Sequence, residues 1–249
     1  MQAAIYVITF LYGIVIGSFL NVCILRIPKG ETIVTKRSHC MTCNRKLRWF
    51  ELIPLFSYII QGGKCRTCKT KISCQYPIIE SINGFVYILI LYVCGMNYKS
   101  VLYCLFFSTL LVISLIDWRF YVIPPGCNIV IFCLGILSIC LESEKWLSHT
   151  IGFFAVSAFF LLIYLVTRGK GIGGGDIKLM ATAGLVLGYE KIILAMVLGC
   201  IIGTIVQLLL MKLKNKDHVL AFGPYLTAGI TIAMLWGDQM IEMYIKCFL

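Results

Sequence analysis

Four cysteines in the first third of the chain occur as two close pairs. Cys40 and Cys43 are separated by two residues, as are Cys65 and Cys68, and 21 residues lie between the pairs. Each pair can supply two thiolates to one side of a tetrahedral ion, and this paired spacing is typical of structural zinc sites. The pattern predicts a Zn²⁺ site, and the alternative is four free thiols in an ordinary loop.

Two other potential ligands, His39 and Cys74, lie nearby and could substitute, although neither fits the paired spacing. Cysteines such as Cys94, Cys104 and Cys133 lie in apolar stretches, where cysteine behaves as a small hydrophobic residue. We therefore assign only the four paired thiols to the predicted metal site.

Two of the 11 acidic residues lie at the boundaries of apolar stretches. Asp117 follows Leu115-Ile116, and Asp176 follows the glycine-rich run 171–175. An ionisable group in such surroundings is a functional candidate. Two carboxyl groups held close together cannot both ionise cheaply, so one keeps a proton while the other is charged, and the pair can activate a water and protonate a leaving amine. The aspartates predict the chemistry of an aspartic protease.

A structural interpretation of the same aspartates stays open at this point. Asp176 could be the N-cap and first-turn acid of a helix, while Asp117 could pair with Arg119. Capping aspartates are common, so the spacing alone does not decide between capping and catalysis.

The elements that must position these residues are membrane helices. Of the 249 residues, 60% are hydrophobic and 13% are charged, with a mean hydropathy of +0.92. This composition excludes a water-soluble globular protein, because soluble domains are about half apolar and a quarter charged. Since roughly 20 apolar residues span a bilayer, we expect an all-α polytopic protein with about eight transmembrane helices. They are predicted near 3–25, 78–96, 101–116, 122–141, 150–167, 177–189, 192–211 and 219–241.

One long polar segment, residues 26–75, separates the first two predicted spans and holds 11 of the 22 Lys and Arg residues. If this segment is cytoplasmic, both termini lie outside and the inner loops hold 18 of those 22. Insertion favours Lys and Arg on the cytoplasmic side, so orientation explains the net charge of +11, which gives no support to nucleic-acid binding. Asp117 and Asp176 then lie at the inner ends of spans three and six.

We expect three parts in the chain. Residues 1–25 form the first transmembrane helix, residues 26–75 form a cytoplasmic zinc-binding loop domain, and residues 76–249 form a seven-helix membrane domain. Glycines four residues apart predict close helix packing within the spans. These pairs are Gly13 with Gly17, Gly184 with Gly188, and Gly199 with Gly203.

A series of short motifs resembles those of bacterial type IV prepilin peptidases, which are polytopic aspartic proteases with a Gly-x-Gly-Asp type of active site. The resemblance covers nearly the whole length of the chain, and the order of the motifs makes it specific. The motifs are Gly17-Ser18-Phe19-Leu20-Asn21-Val22 with Arg26-Ile27-Pro28, the cysteine pairs with Gly63-Lys64-Cys65-Arg66, Ile72-Ser73, Tyr76-Pro77 with Glu80, Gly173 with Gly175-Asp176-Ile177-Lys178-Leu179, and Phe222-Gly223-Pro224-Tyr225.

The resemblance implies a multi-pass enzyme of the cytoplasmic (inner) membrane with two activities. One removes the short basic leader of prepilins or pseudopilins after a glycine at the cytoplasmic face. The other methylates the new N-terminal amine with S-adenosylmethionine. The family motifs imply that Asp117 and Asp176 are catalytic and that Gly173, Gly175 and Lys178 support the catalytic loop.

The resemblance implies a methyltransferase activity, but the sequence contains no motif that locates its cofactor site. The 26–75 loop contains no Gly-x-Gly-x-x-Gly turn, so the family resemblance, and not a nucleotide-binding motif, implies Gly63 and Glu80 as candidate residues. Gly62-Gly63 can equally be a turn that presents the second cysteine pair. Glu80 can be structural, or it can hold the substrate's leader or its amine. The implied partners are prepilin-like substrates and membrane lipid.

The chain departs from the family pattern at one place. Members commonly have Ile-Pro-Asp after the first catalytic aspartate, whereas this chain has Ile123-Pro124-Pro125-Gly126. The departure removes a third carboxylate and leaves both catalytic positions intact.

Two other functions compete with this interpretation. A transporter or channel with a zinc-stabilised gate would need polar residues at the bilayer midplane on several spans, and the span interiors are largely apolar. A peptidase-only protease of the Gly-x-Gly-Asp type would share the aspartates, but such enzymes lack a long cysteine-containing loop.

Overall fold

The computed structural model describes residues 2–35, 37–214 and 221–248. Within these ranges the regular structure is helical, apart from two isolated antiparallel bridges. The described α-helices are α1 (Gln2–Arg26), α2 (Phe56–Ile60), α3 (Gln75–Cys94), α4 (Tyr98–Phe120), α5 (Pro125–Leu141), α6 (Trp146–Val166), α7 (Gly174–Leu187), α8 (Tyr189–Lys214) and α9 (Gly223–Phe248). Three short 3-10 helices cover Ile27–Lys29, Trp49–Glu51 and Ser143–Lys145.

Each of the eight predicted apolar stretches coincides with one long helix, so the all-helical prediction is confirmed. Five of these helices, α1, α3, α4, α6 and α8, are long and apolar enough to cross a membrane. Helices α5 and α7 are shorter, with 17 and 14 residues, and α9 carries charged residues in its second half.

Some helix boundaries differ from the predicted ones. Helix α4 continues to Phe120, so Asp117 lies within its last turn rather than after it. Helix α9 begins at Gly223, and the predicted start at residue 219 lies outside the described residues. Hydropathy locates apolar stretches but not the turns that end a helix, which explains these differences.

The chain divides into two compact units, residues 1–104 and 105–249. In the first unit, α1 packs along α3. A Cβ added at Gly13 would lie 2.6 Å from the Cα of Gly84, and one added at Gly17 would lie 2.8 Å from the Cα of Glu80. The buried Asn83 amide also donates to the carbonyl of Gly13 at 2.8 Å. The predicted packing role of Gly13 and Gly17 is confirmed, because larger residues there would separate the two backbones.

In the second unit, α7 is surrounded by α5, α6, α8 and α9. Every residue from Leu179 to Leu187 is buried. Gly184 lies against the backbone of Gly152 on α6, so its close packing is confirmed. Gly188 is the residue that follows the last turn of α7, so it does not share a packing face with Gly184. Its φ of 84° is one that glycine adopts readily. The central helix thus carries Asp176 at one end and a glycine turn at the other.

Candidate functional site

Asp117 is buried at the C-terminal end of α4 and is oriented by the start of α9. Its side chain is 6% exposed, and its Oδ2 accepts a hydrogen bond of 2.9 Å from the backbone N–H of Gly223. The first N–H groups of a helix have no partner within the helix, so the N-terminus of α9 can donate to this carboxyl group. A Cβ at Gly223 would lie only 2.7 Å from the same oxygen, so only glycine allows this approach.

Asp176 is buried in the first turn of α7. It is the third residue of the helix, and Gly173, with extended φ and ψ, is the N-cap. The prediction that Asp176 could itself be the N-cap is therefore wrong, although it is a first-turn acid as expected. Its carboxyl group accepts a hydrogen bond from the backbone N–H of Gly173. This reach from the third residue back to the N-cap is one half of a capping box, and it orients the carboxyl group.

The fold of the second unit brings the two aspartates together. They lie 59 positions apart in the sequence, on two different helices, yet their carboxyl groups are close enough to interact electrostatically. Both residues are less than a tenth exposed. Two interacting carboxyl groups do not both ionise cheaply, so a pair of this kind can provide one acid and one base at the same place.

Two glycines of the 171–175 run lie in tight contacts next to Asp176. A Cβ at Gly175 would lie 3.0 Å from the Cβ of Ile123, and one at Gly173 would lie 3.1 Å from Oδ2 of Asp176. Lys178 differs from them, because its side chain is exposed. Within the described ranges, no ion pair or hydrogen bond joins its ammonium group to either aspartate. The structure therefore explains the two glycines but gives Lys178 no contact with the carboxyl pair.

The segment that departs from the family pattern keeps a regular backbone. Pro125 is the first residue of α5, and Pro124 is its N-cap. Proline is favoured at the first helical position because its fixed φ suits a helix and its missing N–H would have no helical partner. The local start of α5 therefore needs no carboxylate at this position.

The four paired cysteines form one cluster. Their Sγ atoms all lie within 4.8 Å of one another, and those of Cys40 and Cys68 are 3.7 Å apart. Four thiolates around Zn²⁺ at about 2.3 Å would lie about 3.8 Å apart, so the cluster fits this ion. Hydrogen bonds from the side chain and backbone of Thr70 lower the pKa of the Cys68 thiol to about 6, which favours the thiolate form that binds metals. Despite a hydrogen bond from the backbone of Arg45, burial and hydrogen bonds from the other thiols raise the pKa of Cys43 to about 11 in the absence of an ion.

His39 and Cys74 do not belong to this cluster. His39 Nδ1 lies 3.2 Å from the carbonyl oxygen of Arg37, and Cys74 Sγ lies 3.4 Å from the hydroxyl oxygen of Tyr58. The cluster among the described residues consists only of the four cysteines whose spacing predicted it.

The two cysteine pairs have the same local backbone, repeated 25 residues later. The N–H of Asn44 donates to the carbonyl of Cys40, and that of Lys69 donates to the carbonyl of Cys65. Both donors have positive φ values, 55° and 59°. Antiparallel bridges close both turns, His39 with Lys46 and Lys64 with Lys71. The sequence carries a short signal of this repeat that the cysteine spacing alone does not show, because Thr42 and Lys46 recur as Thr67 and Lys71, 25 residues later.

A buried carboxylate, that of Glu51, connects the two turns. Glu51 accepts from the guanidinium of Arg45 at 2.6 Å and from the backbone N–H of Arg48 at 2.8 Å. The bond from Arg45 holds the pKa of this carboxyl group below its ordinary value. Arg45 also hydrogen-bonds Cys65, and Arg66 lies 3.9 Å from Glu51. Glu51 thus holds residues of both turns beside the thiol cluster.

The glycine pair before Cys65 forms a turn. Gly62 and Gly63 both have positive φ, 59° and 64°, a conformation that favours glycine. A Cβ at Gly63 would lie 3.0 Å from the ring of Tyr58, whereas one at Gly62 would meet no atom within 4 Å. The turn that presents the second cysteine pair explains both glycines without a cofactor.

Glu80 holds a strained turn against α3. Its Oε2 accepts a hydrogen bond of 2.8 Å from the N–H of Leu55, and Glu80 itself is buried. Leu55 has φ 60° and ψ −55°, and the N–H of Phe56 approaches the carbonyl of Pro54 at 2.6 Å. These are the features of a γ-turn with positive φ, a conformation that costs about 1–3 kcal/mol and persists only where neighbouring groups hold it.

Comparison with known proteins relates both units of the chain to peptidases. The family model described as "Bacterial Peptidase A24 N-terminal domain" matches residues 11–94, and that of the "Type IV leader peptidase family" matches residues 104–208. No solved structure matches the chain significantly.

Curated relatives match nearly the full chain, and each carries the name prepilin leader peptidase/N-methyltransferase. The one from Bacillus subtilis is 34% identical over 96% of this chain and 97% of the relative. Those from Pseudomonas aeruginosa and Stutzerimonas stutzeri are 29% and 28% identical, over 96% and 94% of this chain and 92% and 91% of the relatives.

Proposed function

The chain belongs to the type IV leader peptidase family, and from this membership we propose that it is a membrane aspartic endopeptidase that removes the leaders of prepilins or pseudopilins. It cleaves after a glycine at the cytoplasmic face and methylates the new N-terminal residue. The N-terminal family domain and the names of the relatives favour the bifunctional enzyme over a peptidase without methyltransferase activity. Nothing in the family assignment supports a transporter.

The observation that carries the peptidase assignment is the pair of buried aspartates, Asp117 and Asp176. The ionised carboxylate takes a proton from a water as the water oxygen bonds to the scissile carbonyl carbon, while the protonated partner donates to the carbonyl oxygen. When the intermediate collapses, the carbon–nitrogen bond breaks and the leaving amine takes a proton from the pair. Burial strengthens these interactions because the local dielectric constant is low.

The function is tested by co-expressing the protein with a prepilin and reading the mature N-terminus by mass spectrometry. We expect a pilin that begins after the leader glycine and carries one added methyl group on its terminal amine. An intact leader would contradict the peptidase assignment. A cleaved but unmethylated product would show that the protein has peptidase activity without methyltransferase activity.

We also propose that all eight long helices cross the inner membrane, with both termini outside and the 26–75 loop in the cytoplasm. This topology supports the division into 1–25, 26–75 and 76–249. It puts the end of α4 and the start of α7 on the cytoplasmic side, where Asp117 and Asp176 would meet a leader. It also puts 18 of the 22 basic residues inside.

We propose that Cys40, Cys43, Cys65 and Cys68 bind one structural Zn²⁺. The close approach of the four thiols supports this assignment. The ion would supply a fold-stabilising link between the two turns, and four thiolates would leave no open position for chemistry on it.

Gly223→Ala is expected to lower leader cleavage by on the order of 10²-fold, because a displaced catalytic group loses its alignment with the substrate. The added Cβ would lie 2.7 Å from Asp117 Oδ2 and would displace that carboxyl group. Initial rates on a prepilin measure the effect. Gly126→Ala is the matched control, since its Cβ would meet no atom within 4 Å. Equal rates for the two variants would contradict the positioning role of Gly223.

We propose that methyl transfer uses the 26–75 loop, with Gly63 and Glu80 as candidate residues, and that S-adenosylmethionine supplies the methyl group. Asp176→Asn protein should therefore still methylate a pilin that already lacks its leader, because a carboxyl pair that splits an amide contributes nothing to aligning an amine with a methyl donor. Loss of methylation by correctly folded protein would show that the two activities share one site.

The role of Gly63 is tested by a matched pair, Gly63→Ala and Gly62→Ala. Both substitutions place a Cβ at positive φ, so both cost about 1–2 kcal/mol of backbone strain. Only the one at Gly63 also contacts Tyr58. If this surface serves methyl transfer, Gly63→Ala should lower methylation more than Gly62→Ala, with cleavage retained in both. Equal methylation by the two variants would show that the glycine pair has only a structural role in the turn.

A further inference from the structure

Residues 49–60, which we call the apolar segment, have the opposite burial pattern to a loop of a soluble protein, because the charged side chain is buried and apolar side chains are exposed. Its single acid, Glu51, is buried, while Ser57 and Tyr58 are half-buried. All of its exposed side chains are apolar: Trp49, Leu52, Ile53, Phe56, Ile59 and Ile60. Three of these, Trp49, Ile59 and Ile60, are more than 70% exposed. Six exposed apolar side chains within twelve residues favour contact with a non-aqueous partner.

The hydrogen bond between Leu55 and Glu80 places this segment at the level of a membrane span. Glu80 is the sixth residue of α3, so it lies about 8 Å along the helix axis from the first residue. Helix α3 has 20 residues, about 30 Å, which matches the hydrocarbon thickness of a bilayer. Since Leu55 N–H bonds directly to Glu80, the γ-turn must lie near the bilayer boundary and not in the bulk cytoplasm.

Exposed cations flank the apolar segment on both sides. They are Lys46, Arg48, Lys64, Arg66, Lys69 and Lys71. Glu51 is the only acid between residues 45 and 71, and it is buried and bonded to Arg45. A tryptophan within an apolar patch that has a cationic rim fits the boundary between anionic headgroups and acyl chains. The same rim would repel a basic leader, which disfavours a prepilin leader as the occupant.

We infer that the apolar segment lies in the interface of the membrane's anionic leaflet, with its six apolar side chains inserted among the acyl chains and its cationic rim on the headgroups. The segment anchors the cysteine-containing loop to the bilayer surface beside α3. This inference rests on α3 crossing the membrane and does not depend on the peptidase assignment.

Fluorescence of Trp49 tests this location. The full chain with Trp118, Trp146 and Trp236 each changed to Phe is reconstituted in phosphatidylglycerol vesicles with or without bromine on the upper acyl chain. We expect brominated lipid to remove more than about half of the emission, because an interfacial residue lies within about 5–10 Å of the headgroup boundary. Quenching should be weaker in brominated phosphatidylcholine, and equal quenching would overturn the role of the cationic rim.

The matched variants are Ile59→Asp with Ile60→Asp, and Val34→Asp as the control. The double change places charges in the apolar segment and should restore most of the emission. Val34 is 94% exposed in the same loop but lies outside the segment, so its change should leave the quenching as it was. Equal emission in brominated and ordinary lipid would overturn the inference, and a shift in emission on adding prepilin in that case would identify a substrate surface instead.

Discussion

Replacing either Asp117 or Asp176 by asparagine is expected to abolish leader cleavage, with a loss on the order of 10³-fold or more, because neither carboxyl group alone provides an acid and a base. The double variant should be no slower than either single variant, since residues that act as one unit have non-additive effects. The measurement is the initial rate of prepilin maturation by purified protein in lipid.

Asp238→Asn is the matched control, because it makes the same chemical change at an exposed position. Asp238 is bonded to Lys191 at 2.7 Å, and its side chain is 75% exposed. Glu142→Gln and Glu190→Gln extend the control to other acids of the second unit. The catalytic assignment would fail if an aspartate variant of the pair matured prepilin at the normal rate while a control variant did not.

Serine at all four of Cys40, Cys43, Cys65 and Cys68 is expected to remove the bound zinc, from about one ion per chain to none, and to unfold the 26–75 loop. Zinc binding by four thiolates supplies about 10–16 kcal/mol in small zinc domains, and a loop of this size has little other core. Metal analysis of the purified protein and limited proteolysis of the loop measure the two effects.

The repeated turn geometry makes the test more precise. Cys40 and Cys65 occupy equivalent positions in the two turns, so Cys40→Ser and Cys65→Ser should lower zinc occupancy to a similar extent. Cys133→Ser with Cys140→Ser is the control, because those exposed thiols lie on α5, outside the cluster. Unchanged zinc in the quadruple variant would refute the metal assignment.

Local sequence patterns were enough to predict the helices and the cluster of thiols. Apolar stretches of about 20 residues must become helices in a bilayer, because every backbone group needs an internal hydrogen bond there. The spacing of Cys40, Cys43, Cys65 and Cys68 predicted a cluster that the structure assembles. The meeting of Asp117 and Asp176 followed from counting the apolar stretches between them and asking which ends share a side.

Contacts between residues that are distant in the sequence could not be predicted from these local patterns. Gly223 lies 106 residues after Asp117, and nothing in the Phe-Gly-Pro motif itself indicates which side chain its N–H will meet. The burial of Glu51 and Glu80 was also not predictable from sequence, because a lone acid in a basic loop or at the start of a helix is usually solvated. Their burial depends on Arg45 and on the strained turn at Leu55, and neither pairing leaves a periodic signal in the sequence.

The shortness of α7 has a consequence for how the protein is assembled. Its 14 residues extend about 21 Å, roughly 9 Å less than a bilayer core, so the turn that joins it to α8 would lie below the outer surface. Backbone in such a turn must be covered by protein, and Gly188 is buried against Ser148 of α6. The α7–α8 hairpin is therefore a poor candidate for independent insertion by the translocon, and its biogenesis should require α6 to be already in place.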